Sequence, residues 1–266
     1  WSNMKIGFLQ FAPTRLDPIR NLSLIQSAIA GSTFDLLVLP ELANSGYLFE
    51  DREELEMVSE PADGKGIFLS GLISLAAEQH ACIVCGFAER APEGIYNSAA
   101  AVTENGVLAL YRKVHLFYTE KDFFLPGNLG FPVFEFQSTC IGMMICFDWI
   151  FPEAARTLSL QGAQVICHPA NLVLPYSQAA MVTRSLENAV FSITANRTGS
   201  ETTARQSLHF TGSSQIIGPK GHKLASAPEE GTNLQIVEIN PEQASDKFFT
   251  PQNNLFRDRR PDTYLL

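Results

Sequence analysis

Residues 141–167 read IGMMICFDWIFPEAARTLSLQGAQVIC, and their pattern decides the fold. The apolar run 141–145 predicts a buried strand. Residues 152–160 predict a helix opened by Pro152, and 164–167 a second strand. Downstream, 178–191 reads as another helix and 192–195 as a third strand. The same order occurs upstream, with strand 4–10, amphipathic helix 18–30, strand 34–39, helix 65–80 and strand 82–87. Strand 34–39 (FDLLVL) shows no polar alternation, so both of its faces are expected to be covered, as in sheets flanked by helices. Segments 98–102 and 107–111 flank Glu104-Asn105-Gly106 as a hairpin, and Gly218-Pro219-Lys220-Gly221 turns a later one. No Pro/Ser-rich linker parts the two halves, so they are expected to form one α/β sandwich and a single domain over 4–266.

The chain has 266 residues, 45% hydrophobic and 18% charged, a globular composition. Twenty-eight acids against nineteen bases leave a net charge of −9, which argues against nucleic acid or an anionic membrane as partner. No apolar run approaches the roughly 20 residues of a membrane span. Five cysteines, an odd number in a long chain, fit reduced thiols and a cytoplasmic location. Met4 is expected to be the natural start, with residues 1–3 an appended remnant. Two stretches stand apart. Residues 112–130 (RKVHLFYTEKDFFLPGNLG) are too broken for a regular element and long enough to suggest function. The tail 240–266 lacks periodicity but carries Phe248, Phe249, Phe256 and Tyr264, which points to burial on a partner.

Candidate chemistry concentrates at the ends of predicted strands. Cys146 stands at a strand-to-helix turn, where a helix dipole and a nearby cation would lower its pKa and favour thiolate; the ordinary alternative, favoured on this local context alone, is an inert buried cysteine. Glu41 follows FDLLVLP at the C-terminal end of a buried strand, where open α/β sheets place their sites, although Pro40 marks a turn and a solvated loop glutamate is an equal alternative. A buried carboxylate there needs a partner. Lys113 could supply positive charge to a developing anion, against the ordinary alternative of a surface lysine, and Glu120 lies in the same long loop. His115 is a candidate base whose ordinary alternative is a structural hydrogen bond. Cys82 and Cys85 form a CxxC that a strand would point to opposite faces, so His80, Cys82 and Cys85 are expected in the core rather than on zinc. No GxGxxG or Walker sequence occurs, and Gly212-Ser213-Ser214 lacks the Ser-x-x-Lys of a serine amidase.

Taken together, Pro40-Glu41-Leu42, Arg112-Lys113-Val114-His115-Leu116 and Ile145-Cys146-Phe147-Asp148 resemble the three motifs of the nitrilase, or carbon–nitrogen hydrolase, superfamily. They come in the right order, with Glu41, Lys113 and Cys146 spaced 72 and 33 residues apart. The resemblance runs from Met4 to Phe256-Arg257-Asp258-Arg259-Arg260. CFDWIFPEAARTL and HPANLVLPY are most similar to small aliphatic nitrilases and amidases of thermophilic archaea. The chain departs from aromatic nitrilases, which carry Cys-Trp-Glu, and from N-carbamoyl-D-amino-acid hydrolases, whose nucleophile precedes Asn-Asp-Arg-Arg.

The resemblance implies an α-β-β-α sandwich that dimerises into an eight-layer arrangement. It implies Glu41 as general base, Lys113 as the cationic group, Cys146 as nucleophile and Glu120 as the carboxylate that holds Lys113. Asp148 and Arg156 would pair to brace the turn after the nucleophile, while Arg184, Glu187, Asn188 and Asn196 would serve the scaffold. Tyr47, Phe117, Trp149 and Asn171 are expected to line the pocket, and the Phe147 backbone N–H to meet the oxyanion. The implied activity needs no cofactor or metal: hydrolysis of a small aliphatic amide, or of a nitrile, to acid and ammonia through a thioester. A catalytically silent binding protein and a zinc hydrolase built on His80, Cys82 and Cys85 are the readings from other classes.

Overall fold

A computed structural model describes residues 3–264; Trp1, Ser2, Leu265 and Leu266, at the ends of the expected remnant and tail, lie outside the described residues. The first half runs β1 (Met4–Gln10), α1 (Pro18–Ile29), β2 (Leu36–Val38), α2 (Arg52–Val58), α3 (Ile67–Gln79), β3 (Cys82–Ala91), β4 (Gly94–Thr103) and β5 (Gly106–Arg112). Within the long 112–130 segment lies one short helix, α4 (Glu120–Phe123). The second half runs β6 (Val133–Phe136), β7 (Thr139–Met143), α5 (Pro152–Leu160), β8 (Val165–Ala170), α6 (Ser177–Asn188) and β9 (Phe191–Asn196). It continues with β10 (Thr198–Thr202), β11 (Ser207–Thr211), β12 (Gln215–Ile217), β13 (Lys223–Ser226) and β14 (Asn233–Ile239), and ends in the small pair β15 (Phe248–Thr250) and β16 (Asn253–Asn254).

Two six-stranded sheets result, ordered β14-β1-β2-β3-β4-β5 and β13-β12-β9-β8-β7-β6. In each, the strands joined through helices are parallel, β1-β2-β3 and β7-β8-β9, and the hairpin strands are antiparallel. Ile6, Phe8, Leu36, Val38, Cys82 and Val84 face Ile141, Met143, Val165, Cys167, Ile193 and Ile216 across the sandwich. Their alternate neighbours Leu37, Leu39, Ile83, Cys85 and Phe87 pack outward against Ile25 and Ile29 of α1 and Phe68, Leu69 and Leu72 of α3. That two-sided burial is why FDLLVL carries no polar alternation. Helices α5 and α6 cover the second sheet, which completes an αββα sandwich.

Cys82 and Cys85 thus fall on opposite faces of β3, and burial pushes the Cys82 thiol up to about 12. His80 corrects the expectation of a core residue: it is the exposed left-handed cap of α3, with Nδ1 3.2 Å from Glu104. The three side chains of the zinc reading therefore do not converge. In the tail, Phe256 lies near the Arg156 guanidinium and the Lys247 ammonium of its own chain, whereas Phe248, Phe249 and Tyr264 stay exposed. Among the described residues no helix is long and apolar enough to cross a membrane.

The β2 exit packs tightly on β3. A Cβ on Gly86 would lie 2.4 Å from the Glu41 Cα and 2.6 Å from the Leu42 nitrogen, and the Ala43 N–H donates to the Gly86 carbonyl at 2.9 Å. Backbone atoms cannot yield as a flexible side chain would. We expect Gly86→Ala to cost about 2 kcal/mol or more of unfolding free energy, read as a lowered urea midpoint.

Candidate active site

Three chain segments deliver ionisable groups to one buried point. Glu41 leaves β2 into a turn where Leu42 takes a left-handed φ of +48°. Lys113 follows β5, its backbone fixed on both sides: its N–H donates to the Asn97 carbonyl and its carbonyl accepts from Gly127, each at 2.8 Å. A Cβ on Gly127 would sit 1.9 Å from the Arg112 oxygen, so only glycine permits this approach. Glu120 opens α4, and its backbone N–H donates to the Phe117 carbonyl at 2.9 Å.

The side chains then meet. Lys113 Nζ donates to Glu41 Oε1 at 2.6 Å and to Glu120 Oε1 at 2.8 Å, and the ammonium is wholly shielded from solvent. Asn97 Nδ2 gives Glu41 Oε1 a second bond at 2.7 Å, and Tyr47 Oη gives Glu120 Oε1 another at 2.6 Å. Glu41 Oε2 is buried with no partner, an open acceptor inside the site. Burial pulls the Lys113 ammonium down, but the charges of Glu120 and Glu41 outweigh it and hold the group above the usual lysine value. Burial likewise raises the Glu120 carboxyl, against the pull of Lys113. Tyr47, raised by burial and then by Glu120 and Glu41, stays a phenol able to donate.

Cys146 sits on a strained turn, with φ +42° at the head of a 3-10 turn over Cys146–Ile150. A non-glycine residue there costs about 1–3 kcal/mol and persists only where neighbours over-determine it. Here Asp148 Oδ2 accepts the Ile145 N–H at 2.8 Å, and His168 Nε2 lies 2.8 Å from the Cys146 carbonyl. Since a carbonyl only accepts, Nε2 carries the proton; burial keeps the ring neutral, leaving Nδ1 to face the Thr194 hydroxyl.

This geometry corrects the expected low-pKa thiol. Helix α5 begins only at Pro152, so its positive end is not at the sulfur. Burial drives the Cys146 thiol well above its ordinary value, Glu41 adds to the rise, and Lys113 only partly opposes it. The resting thiol is therefore protonated. A second correction concerns Asp148 and Arg156, which do not pair. Asp148 instead accepts from Tyr111 Oη and His115 Nδ1, both at 2.7 Å, while Arg156 donates to the Glu187 carbonyl at 2.8 Å. His115 is held by that bond and stacks on Phe151, 3.7 Å between centroids, in a bracing position.

Phe117, Phe147, Trp149, Asn171, Leu172, Val173 and Leu174 surround a cleft at Cys146 with about 10 Å³ of free space, room for one water. Three expected pocket residues, Phe117, Trp149 and Asn171, thus lie on it, together with Phe147. Tyr47 does not line it and reaches the site through Glu120 instead. Asn171 donates from Nδ2 to the Glu41 carbonyl at 2.8 Å and leaves Oδ1 unpartnered. Arg184 and Asn196 hold the surrounding backbone, at the Trp149 carbonyl (3.1 Å) and the Leu172 N–H (2.8 Å). Asn97, His168, Gly86 and Gly127 did not stand out in the sequence as site residues. A β-disfavoured Asn at the edge of the apolar segment 98–102 was the one local signal for Asn97.

The carbon-nitrogen hydrolase family model matches residues 5–246. The chain belongs to the carbon-nitrogen hydrolase family. It is 42% identical to a nitrilase of Pyrococcus abyssi, over 98% of this chain and 99% of that one. It is 33% identical to an (R)-stereoselective amidase of a Pseudomonas species, over 90% and 86%. Among solved structures, an amidase from a Nesterenkonia species superposes with a TM-score of 0.78 at 30% identity, covering 92% of this chain and 93% of that one. This carbon-nitrogen hydrolase thus has nitrilases and amidases among its relatives.

Removing Lys113 would leave two buried carboxylates without their cation. Lys113→Met should lose about 3–5 kcal/mol of stability at neutral pH. Without the ammonium nothing offsets the rise that burial gives the Glu120 carboxyl, so the folded state takes up a proton before the unfolded one as pH falls. The variant should therefore recover part of its loss between about pH 7 and pH 5. Urea titrations of both proteins across that range measure it.

Proposed function

We propose that this carbon–nitrogen hydrolase cleaves short aliphatic amides to carboxylic acid and ammonia through a thioester on Cys146. The observation that carries this reading is the unpartnered oxygen of Glu41, buried in a site whose other oxygen is saturated by Lys113 and Asn97. A thiol held protonated needs a base at the moment of attack, and this open acceptor is suited to be one. The sulfur bonds to the amide carbon as Glu41 takes its proton, and the carbonyl electron pair moves to oxygen. Lys113 and the Phe147 backbone N–H stabilise that oxyanion. Collapse of the intermediate breaks the C–N bond while Glu41 returns the proton to nitrogen, and ammonia leaves. A water then gives Glu41 its proton and attacks the thioester carbon. Collapse releases the acid and returns the proton to sulfur. Glu120 holds Lys113 and takes part in placing the substrate.

The narrow cleft and its apolar rings favour a short uncharged acyl chain. A further solved structure of the Nesterenkonia amidase carries the acetamide moiety of fluoroacetamide added at its active-site cysteine; it is 27% identical over 98% of this chain, with a TM-score of 0.78. The Pyrococcus abyssi relative's name supports a second reading, in which a nitrile enters through a thioimidate, gains water, loses ammonia and joins the same thioester.

Ammonia release from matched short-chain amides and nitriles separates the two. Amides alone should be turned over by the wild type, with at least about a thousandfold loss in Cys146→Ala. Turnover of nitriles as well would make the protein a nitrilase, and full activity in Cys146→Ala would discard the thioester. The exposed Phe248, Phe249 and Tyr264 suit the expected homodimer. Light scattering should give twice the 29.3 kDa chain mass, and Phe249→Asp should reduce it if the tail is the contact.

A further inference from the structure

Among the described residues Arg197 is the largest side chain with essentially no solvent exposure, and the chemistry proposed above gives it no part. It follows β9, its backbone N–H donating to the Ala170 carbonyl at 3.1 Å. Its guanidinium lies 4.0 Å from the centre of the Phe210 ring, and Nη1 donates to Glu201 Oε2. Glu201, also buried, turns Oε1 the other way, where it accepts the Tyr47 N–H at 2.8 Å and the Leu48 N–H. Phe210 packs edge-on against the Tyr47 ring, 5.8 Å between centroids. Gly46, at φ +78°, lets the loop pass so close that a Cβ would meet Glu201 Oε2 at 2.8 Å. From that loop the Tyr47 phenol reaches Glu120 Oε1, which in turn holds Lys113.

Burying an ion pair of this kind is a poor way to gain stability, because desolvation consumes most of the attraction. What the pair does have is direction. One carboxylate oxygen is fixed by a cation wedged against Phe210, and the other is thereby aimed at two consecutive N–H groups beside Tyr47. We propose that Arg197 and Glu201 are positioning residues for the hydrolysis: they clamp the Tyr47 loop and so set the phenol that orients Glu120 and, through it, Lys113. This rests on the reading of Glu120 and Lys113 given under Proposed function. The ring of Phe210 and the backbone at Gly46 complete the clamp. None of the four touches the reacting atoms.

In Glu201→Gln the amide has one oxygen for two duties, and whichever way it turns, an NH2 faces either the guanidinium or the loop N–H groups. The loop shifts, and shifts of about an ångström in a reacting constellation can cost about a hundredfold. Tyr47→Phe removes the phenol that the clamp serves. The test is a double-mutant cycle on kcat per intact site, with sites counted by iodoacetamide labelling of Cys146 and localised by mass spectrometry. Glu201→Gln and Tyr47→Phe should each lower kcat per site by about tenfold or more, and the double variant should fall no further than the worse single one. The rate of Cys146 labelling itself, which needs no turnover, should show the same non-additivity. Should Glu201→Gln fail to fold, Arg197→Lys, which keeps the charge but loses the planar fork, takes its place in the cycle with a smaller expected effect.

An unchanged kcat per site in the clamp variant, with only the melting temperature lowered, would reduce the pair to a structural role. Losses that multiply in the double variant would also overturn the proposal, since the clamp would then not act through Tyr47. A wild type that releases ammonia from no amide or nitrile is a different result. It would count against the proposed function, and the labelling rates would still decide the clamp.

Discussion

The buried ammonium of Lys113, shared between Glu41 and Glu120, is the constraint around which the molecule is arranged. One cation among two carboxylates out of contact with water is costly unless every group is held at bonding distance. The protein meets that demand from four directions. Asn97 on β4 and Tyr47 on the loop after β2 supply further donors, Gly127 fixes the lysine backbone, and Gly86 allows the glutamate turn to lie against β3. Burial, with the charge of Glu41 added to it, holds the neighbouring Cys146 thiol above its ordinary value, and Lys113 only partly opposes that rise.

The sandwich serves this arrangement by placing strand ends rather than strand faces. Glu41 leaves β2, Lys113 leaves β5, Cys146 follows β7 and Asn171 follows β8, so both sheets contribute to one edge of the interlayer core. The turn at Cys146 is fixed by groups from elsewhere in the fold: Asp148 caps it, His168 on β8 holds its carbonyl, and Tyr111 and His115 hold Asp148. Strain at one residue is thus offset by an extended network, which is how a cysteine keeps a left-handed backbone.

Much of this was legible in the sequence because it depends on local pattern. Unbroken apolar strands and the proline that opens α5 led to a two-half α/β sandwich, and the family resemblance carried by the three spaced motifs implied its αββα form and Glu41, Lys113, Cys146 and Glu120. Helix α2 was not anticipated, since seven residues rich in Glu read as loop until Leu55 and Val58 find a core. The thiol's environment was misjudged for a related reason. Sequence proximity suggested a helix dipole, whereas burial and two carboxylates distant in sequence set the outcome. The family resemblance paired Asp148 with Arg156, yet its partners come from β5 and the loop behind it. Pairings across 30 residues or more leave no periodicity to read.

The first sheet is finished by a strand from the end of the chain: β14 lies beside β1, with Met4 opposite Ile239 and Gln10 opposite Asn233. During synthesis, β1 therefore leaves the ribosome with one edge open, and that edge must wait for Asn233–Ile239 before its neighbour exists. Contacts of such sequence separation make folding slow, and an open apolar edge is a template for pairing with other chains. The nascent chain is consequently exposed to aggregation until β14 emerges to close the first sheet. A message truncated before β14 would leave the opening permanent.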